Sequence, residues 1–272
     1  MDIDIVIPTT NNFSEKGFSI YFTIRSILAQ SYQPKNILIV ENGMEKTNTA
    51  TNLVDEFGEM VTIIDGTGQP NNISYARNIG SQHGRSELIL FIDDDVVIAR
   101  TDTLEKIIKK MAGIDFYCGA HRYWTNTAWQ NLLKKSFSIN HMQRILMFKS
   151  YLPKSIERIS GSQSFHEYSF IGHFGAVKRT VFAKIGGFDE QYIGWSYQDT
   201  DLMMRLCMNN FRYDLMHSDG ISIFHLSHPV DKSNTAAINR KRFVLKQQSA
   251  GIEFHLNHFF GIFDDDGYSI LT

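Results

Sequence analysis

The sequence predicts an α/β fold with a mostly parallel central sheet flanked by helices. Short apolar runs alternate with segments of helical periodicity along the first half of the chain, and one of these runs ends in three consecutive aspartates. Strands that alternate with helices form βαβ units, in which the strands lie parallel. No internal repeat or low-complexity linker divides the sequence, so we expect one domain over residues 1–272.

The prediction centres on the stretch SELILFIDDD, from Ser86 to Asp95. Its apolar run, Leu88 to Ile92, is too short to span a membrane and too uniformly apolar for an exposed strand, so we expect a strand buried on both faces. Ligands of open α/β sheets bind just beyond the carboxyl ends of the strands. The three aspartates stand at that end and repel one another unless a hard divalent cation lies among them. A helix N-cap or a solvated turn is the alternative, because aspartate favours both.

The remaining elements follow from apolar periodicity and capping residues. Strands are predicted over Ile3 to Ile7, Asn36 to Val40, Val61 to Ile64, Asp115 to Trp124 and Ile221 to Phe224. Helices are predicted over Ile20 to Leu28, over Thr47 to Phe57, over Ile73 to His83, and from a capping box of Asp102 and Glu105 through Met111. The polar residues that follow the early strands would then line one crevice, where a nucleotide is expected.

Composition and charge narrow the partners that the chain can have. The 27 basic and 29 acidic residues give a net charge of -2, so the overall charge does not favour binding to nucleic acid. We therefore expect no nucleic acid as a partner. Cys118 and Cys207 have no metal-ligand spacing, which favours free thiols in a reducing compartment. The opening MDIDIVIP is not typical of a secretory signal, and no run of apolar residues is long enough for a membrane span. We therefore expect a cytoplasmic protein.

The usual phosphate-binding loops do not occur in this sequence. There is no G-x-x-x-x-G-K-[ST] and no G-x-G-x-x-G after the first strand, which argues against a P-loop kinase or a Rossmann dehydrogenase. The sequence SYARNIG, at 74–80, instead begins a predicted helix. The guanidinium of Arg77, which is planar and permanently charged, would then bind a diphosphate. A surface arginine on that helix is the alternative interpretation.

Four motifs in order, VIPT at 6–9, IVENG at 39–43, ARN-x-G at 76–80 and LFIDDD at 90–95, resemble the nucleotide-sugar half of family 2 glycosyltransferases of the GT-A fold. Two later motifs, GGFDE at 186–190 and GWSYQDTDL at 194–202, resemble the acceptor-side motif of β-1,4-galactosyltransferases and bacterial chondroitin-polymerase-like enzymes. The resemblance covers about residues 3 to 230. It implies a Rossmann-like GT-A domain, with a nucleotide-sugar-binding half over 1–124 and an acceptor-binding half over 125–272.

The resemblance also implies roles for individual residues. It assigns the nucleotide sugar to Pro8, Thr9, Thr10, Glu41, Asn42, Arg77, Asn78, Asp93 and Asp94. It assigns the acceptor to Trp195, Tyr197, Gln198 and Asp201, although Gln198 stands where the galactosyltransferase pattern usually has glutamate. Asp199 is the implied general base, which takes the proton of the acceptor hydroxyl. An N-cap role for Asp199, in a helix that continues through Asn209, is compatible with that assignment.

The implied cofactor is Mn²⁺ or Mg²⁺, held by Asp95 and His225. A divalent cation neutralises the diphosphate as it leaves. Because imidazole suits Mn²⁺ better than Mg²⁺, a histidine ligand favours manganese. His228 lies close enough in sequence to be the ligand instead, and a core role for His225 is the simpler alternative for a histidine in an apolar strand.

The stretch 129–158 is basic and rich in large apolar residues. One interpretation is a peripheral contact with an anionic inner membrane face, where a lipid-linked acceptor would be found. The alternative is an ordinary amphipathic helix that packs on the domain.

The function predicted from all of these features is an inverting, metal-dependent transfer of a sugar from a UDP-sugar to a saccharide or lipid-linked saccharide, in bacterial surface polysaccharide synthesis. A nucleotidyltransferase and a non-catalytic sugar-binding or assembly module are the alternatives.

Overall fold

The computed structural model describes the greater part of the predicted α/β region and several segments of the second half. The described residues are 1–10, 19–43, 49–118, 121–125, 157–158, 172–194, 196–214, 220–226, 235–249, 262–263 and 269–270. Two of the sequence predictions fall outside them, namely Trp195 and His228. The predicted membrane-contact stretch 129–158 also lies outside them, except for the backbone of its last two residues.

Strands and helices alternate in the first half of the chain, as the sequence predicts. The strands are β1 (Ile3–Thr9), β2 (Asn36–Glu41), β3 (Val61–Asp65), β4 (Leu88–Ile92), β5 (Val96–Ile98), β6 (Phe116–Tyr117), β7 (His121–Thr125), β8 (Glu157–Arg158), β9 (Phe174–Lys178), β10 (Tyr213–Asp214), β11 (Ser222–Leu226), β12 (Ile262–Phe263) and β13 (Ser269–Ile270). The helices are α1 (Ser19–Leu28), α2 (Thr49–Phe57), α3 (Ile73–His83), α4 (Thr103–Met111), α5 (Arg179–Lys184), α6 (Gln198–Met208) and α7 (Thr235–Ser249).

The large sheet has the strand order β10-β6-β9-β4-β1-β2-β3. Strands β4, β1, β2 and β3 run parallel, whereas β9 is antiparallel to both of its neighbours, β4 and β6. Thr9 is in register with Glu41, and Glu41 with Asp65, so the polar ends of these strands meet at one edge. The predicted mostly parallel sheet and its crevice are therefore present.

Two apolar layers cover the sheet, and alternate residues of its strands face opposite layers. Ile5 packs in the cluster that contains the apolar residues of α1, α2 and α4. Val6 packs in the cluster that contains those of α3, α5 and α6. Gly80 lets α3 lie against β1, because a Cβ at this position would be 2.5 Å from a methyl group of Val6. Burial on both faces explains why Leu88 to Ile92 is uniformly apolar.

A smaller sheet, in the order β5-β11-β7-β8, packs beside the aspartate turn. Its strand β11 is antiparallel to β5 and parallel to β7, and His225 is in register with Val96. This sheet corrects the predicted strand Asp115 to Trp124, which is divided between β6 in the large sheet and β7 in the small one. Side-chain periodicity does not indicate where a chain leaves one sheet for another.

The start of α4 is where the sequence predicts it, but its cap differs. Asp102 makes no side-chain capping bond and pairs with Arg100 and Lys106 instead. The buried Gln30 accepts hydrogen bonds from the N–H groups of Thr103 and Leu104, at 3.1 and 3.2 Å. A residue distant in sequence therefore satisfies this helix terminus. Among the helices in the described ranges, none is both long and apolar enough to cross a bilayer.

Candidate active site

The aspartate turn after β4 is held against the end of β1. The Thr9 hydroxyl donates to Asp94 Oδ2 at 2.7 Å, and the Thr23 hydroxyl donates to the main-chain oxygen of Asp94 at 3.0 Å. Asp94 therefore fixes the turn with both its side chain and its backbone. Glu41 lies buried at the neighbouring strand end, and Thr10 is exposed directly after β1.

Asp95 and His225 meet on the other side of this turn. The distance between His225 Nε2 and Asp95 Oδ1 is 3.5 Å, and both side chains are buried. The Leu226 N–H donates to the main-chain oxygen of Asp95 at 2.8 Å, which ties β11 to the turn. The two residues that the resemblance assigns to a metal are thus brought together by the aspartate turn and β11, from opposite halves of the chain.

This pair fits a divalent cation that also takes oxygens from its substrate. Small divalent cations bound with nucleotides usually take one or two carboxylates and complete their coordination with phosphates. Imidazole beside the carboxylate favours Mn²⁺ over Mg²⁺. No cluster of three or more histidine, cysteine, aspartate or glutamate side chains suited to a metal occurs within the described ranges. Asp95 and His225 are therefore two side chains that could hold such a cation only together with oxygens from its substrate.

Arg77, on α3, lies between two carboxylates from distant parts of the sequence. Its Nη2 is 2.9 Å from Asp93 Oδ1, and its Nη1 is 3.1 Å from Asp199 Oδ1. Only 3% of the arginine side chain is exposed, and its guanidinium lies 5.1 Å from the centroid of the Phe188 ring. The structure thus joins the aspartate turn, α3 and the first turn of α6 through one side chain.

Asp199 is placed in the first turn of α6 by an unusual backbone. Ser196 and Tyr197, which precede the helix, have φ angles of +91° and +69°, in the left-handed region that non-glycine residues rarely adopt. Such strain concentrates at functional sites. The N-cap position belongs to Tyr197, so the predicted capping role of Asp199 is replaced by its ion pair with Arg77.

The protein around Asp199 changes its acidity. Partial removal of the carboxylate from water raises the pKa of Asp199, and the negative charge of Asp93 raises it further. The positive charge of Arg77 and a hydrogen bond from the Gly172 N–H oppose these effects without cancelling them. About a third of the side chain, 32%, remains exposed. A carboxylate that is accessible and more basic than usual is suited to accept a proton.

Two asparagines predicted to bind the nucleotide sugar have bonds within the protein instead. Asn78 exchanges hydrogen bonds with the backbone of Phe188, at 2.9 Å in both directions, and donates to Glu190 Oε1 at 2.8 Å. Asn42 is 1% exposed and donates to the carbonyls of Gly66 and Gln69. Both amides are used to hold loops together, so we assign them to the support of the site.

The predicted acceptor residues divide in a similar way. Asp201 is fully buried and pairs with Arg205, and Gln198 is 5% exposed and donates to the main-chain oxygen of Gly194 at 2.6 Å. These bonds use Asp201 in a buried ion pair and Gln198 in holding the loop before α6, so the acceptor contacts of both residues stay predictions. Tyr197 is partly exposed, with its ring 5.5 Å from that of Phe243.

Two residues of this site have no obvious signal in the sequence. Gly172 donates its N–H to Asp199. His173 is buried, and its ring centroid is 6.2 Å from that of His225; its main-chain oxygen accepts from the Asp93 N–H at 3.2 Å. The pair precedes β9, which lies beside β4 in the sheet, and only the pairing of those strands brings it to the aspartate turn.

A family model described as glycosyl transferase family 2 matches residues 4–186, about two thirds of the chain. The chain belongs to glycosyltransferase family 2. A second model, described as the N-terminal domain of galactosyltransferase, matches residues 161–229, which contain Asp199 and His225. The family predicted from the ordered motifs is therefore confirmed.

Solved structures confirm the GT-A fold of this family 2 chain. The mannosyltransferase PcManGT from Pyrobaculum calidifontis, in complex with GDP-Man and Mn²⁺, aligns with a TM-score of 0.57 at 15% identity, over 92% of this chain and 63% of that one. S. aureus TarS 1-349, in complex with UDP-GlcNAc, aligns with a TM-score of 0.60 at 14% identity, over 85% of this chain and 60% of that one.

One curated relative is the glucosyl-dolichyl phosphate glucuronosyltransferase of Haloferax volcanii. It is 30% identical over 109 residues, which are 40% of this chain and 33% of the relative. The chain therefore aligns with about a third of the length of that relative.

Proposed function

We propose that the protein is an inverting, divalent-cation-dependent glycosyltransferase that moves a sugar from a nucleoside diphosphate sugar to an acceptor hydroxyl. The observation that carries this proposal is the position of Asp199, across Arg77 from Asp93, at the carboxyl edge of the sheet. A direct displacement needs its base on the side of the sugar opposite the leaving diphosphate. Asp199 meets that requirement, because it belongs to the motif at 194–202 and is separate from the aspartate turn.

For the donor, we propose a UDP-sugar seated at the strand ends marked by Thr9, Glu41 and Asp93. Ligands of open α/β sheets bind at this edge, beyond the carboxyl ends of the strands. Two similar structures contain nucleotide sugars, GDP-Man in the mannosyltransferase and UDP-GlcNAc in TarS. These relatives support a nucleotide sugar, and the choice of uridine rests on the resemblance of the motifs.

For the cofactor, we propose Mn²⁺ held by Asp95 and His225. When bound, the cation supplies positive charge that neutralises the diphosphate as the bond to the sugar breaks. One relative is described in complex with Mn²⁺, which supports this choice. Asp95 would contribute a carboxylate oxygen, and β11 holds His225 beside it.

In the proposed reaction the acceptor oxygen attacks the anomeric carbon as the bond from that carbon to the diphosphate oxygen breaks. The nucleoside diphosphate leaves with the bonding electrons, and Asp199 takes the proton of the acceptor hydroxyl. One displacement from the far face inverts the anomeric configuration. Arg77 and the Gly172 N–H hold the Asp199 carboxylate during this transfer.

For the acceptor, we propose a saccharide or a lipid-linked saccharide. The name of the curated relative includes a glucosyl-dolichyl phosphate, which is a sugar carried on a lipid. Of the predicted acceptor residues in the described ranges, Tyr197 is the one whose exposure supports contact. A place in bacterial surface polysaccharide synthesis remains a prediction from the resemblance.

A direct assay tests the proposal. The full chain is incubated with UDP-sugars and Mn²⁺, with and without saccharide acceptors, and UDP release and the anomeric configuration of the product are measured. We expect release that requires Mn²⁺, increases with acceptor and gives the inverted product. Retention of configuration, pyrophosphate release from a nucleoside triphosphate and a sugar phosphate, or binding without turnover would each contradict the proposal.

A further inference from the structure

The helix α7 presents one face to the turn that precedes the base Asp199. We propose that Asn239, in the middle of this face, is a positioning residue, which holds the turn in the conformation that places Asp199 for proton transfer. This inference rests on the glycosyltransferase function proposed above. Neither family model that matches the chain extends to α7, since the two models end at residues 186 and 229.

The first argument is the pair of hydrogen bonds that the Asn239 amide makes. Its Nδ2 donates to the main-chain oxygens of Ile193 and Ser196, at 3.0 and 3.1 Å. An amide nitrogen carries two protons, so each proton can serve one carbonyl. Only 2% of Asn239 is exposed, and a hydrogen bond shielded from water is stronger than one at the surface. The side chain therefore fixes two points of the chain that are three residues apart.

The second argument is that this turn has a strained backbone. Ser196 and Tyr197 both have positive φ angles, and such conformations persist only where the surrounding structure enforces them. The Tyr197 carbonyl accepts from the Asp201 N–H at 2.9 Å, which makes Tyr197 the point where α6 begins. A turn that relaxed to ordinary φ angles would move the first turn of α6, and Asp199 with it.

The third argument is that the neighbours of Asn239 on α7 contact the same turn. Residues four apart lie on one face of a helix, and this face contains Thr235, Asn239 and Phe243. Gly194 lies against Thr235, because a Cβ at this glycine would be 2.9 Å from the threonine side chain. The Phe243 ring is 5.5 Å from the ring of Tyr197. Three successive turns of α7 therefore support the segment that leads into α6.

The supported segment also carries exposed side chains beside the base. Ile193 is 60% exposed, and Tyr197 is partly exposed. Displacement of the turn would therefore change the acceptor side of the site together with the base, whereas the aspartate turn on the donor side would keep its place. A displacement of about 1 Å in a reacting group can reduce turnover by about a hundredfold.

The first test removes the amide that holds the turn. Asn239→Ala takes the side-chain donor from both carbonyls, so we expect kcat to fall by about tenfold to a hundredfold and the acceptor KM to rise. The calorimetric affinity for UDP with Mn²⁺ should stay within about threefold of wild type. Thermal unfolding gives the folded fraction, for which kcat is calculated. Wild-type kcat in folded Asn239→Ala, or a loss of UDP affinity as steep as the loss of kcat, would overturn the proposal.

A matched control and a double-mutant cycle separate positioning from general support by α7. Gln247 is a second buried amide of this helix, 6% exposed and eight residues beyond Asn239, which is about 12 Å along the helix axis. We expect Gln247→Ala to leave kcat within about twofold of wild type. When Asp199→Asn is already present, Asn239→Ala should change kcat by less than about threefold. Equal losses in both backgrounds, or in both α7 variants, would overturn the proposal.

Amide hydrogen exchange of the full chain gives a measurement that does not depend on activity. We expect Asn239→Ala to increase exchange at the start of α6, including the Asp201 N–H, by at least about tenfold, and to leave exchange in β4 unchanged. Unchanged exchange at the start of α6 would overturn the inference. Failure of wild-type protein to release UDP with acceptor would instead contradict the proposed function, whatever the exchange shows.

Discussion

Asp201 lies at the centre of a buried charge cluster between α6 and α7, and its removal should destabilise the protein. The carboxylate is fully buried and accepts from Arg205 at 2.7 Å, from Lys246 at 2.6 Å and from the Tyr192 hydroxyl at 3.3 Å. Asp201→Ala leaves two cations without their shared partner. Breaking a buried ion pair in this way typically costs about 3–5 kcal/mol.

The surroundings of the cluster place the expected cost at the lower end of that range. Lys246 is 34% exposed and keeps a second carboxylate, Asp189, at 2.8 Å. Arg205 also donates to two main-chain carbonyls, at 2.8 and 2.6 Å. Because both cations retain partners, we expect Asp201→Ala to lower the free energy of unfolding by about 3 kcal/mol.

Urea unfolding followed by circular dichroism measures this change. Asp189→Ala is the matched control, since it removes a carboxylate from the same lysine at a site that is 18% exposed, and we expect a loss of about 1 kcal/mol. The assignment is refuted if Asp201→Ala unfolds like wild type but raises KM for the acceptor. That result would restore the acceptor contact predicted from the sequence.

Three further predictions concern the metal, the packing of α3 and the base. His225→Ala should weaken Mn²⁺-dependent UDP binding in calorimetry far more than His228→Ala, and the reverse order would make His228 the ligand. Gly80→Ala should destabilise the protein by about 1–2 kcal/mol in urea unfolding, because overpacking against β1 exceeds the gain in helix propensity, whereas Gly113→Ala should not. Because the pKa of Asp199 is raised, kcat/KM should fall as pH decreases through a value above the ordinary pKa of an aspartate, and a fall centred at or below that ordinary value would contradict the raised pKa.

The fold was predictable because its central strands are buried on both faces. The apolar run Leu88 to Ile92 and the helix Ile73 to His83 have the bounds that the sequence predicts. The division of the predicted strand Asp115 to Trp124 was not predictable, since its pairing partners in the two sheets come from distant parts of the chain. The cap of α4 by Gln30 was missed for the same reason.

The motifs located the site, but they did not separate the residues at its surface from those that support it. Asn78 and Asp201 stand in the same motifs as Arg77 and Asp199, and spacing alone gives no sign that their side chains are used internally. The fully buried Asp201 and the partly exposed Asp199 differ in exposure, which only the packing of α6 determines. Gly172 was missed because its function lies in its small size and in its backbone N–H.

The most direct test of the central claim is Asp199→Asn, with turnover and donor binding measured on the same protein. The amide keeps the shape of the side chain but cannot accept the proton of the acceptor hydroxyl. We expect kcat to fall by at least about a hundredfold, with the calorimetric affinity for the UDP-sugar in the presence of Mn²⁺ nearly unchanged. If donor affinity falls as steeply as turnover, Asp199 belongs to the donor site and the proposed mechanism is contradicted.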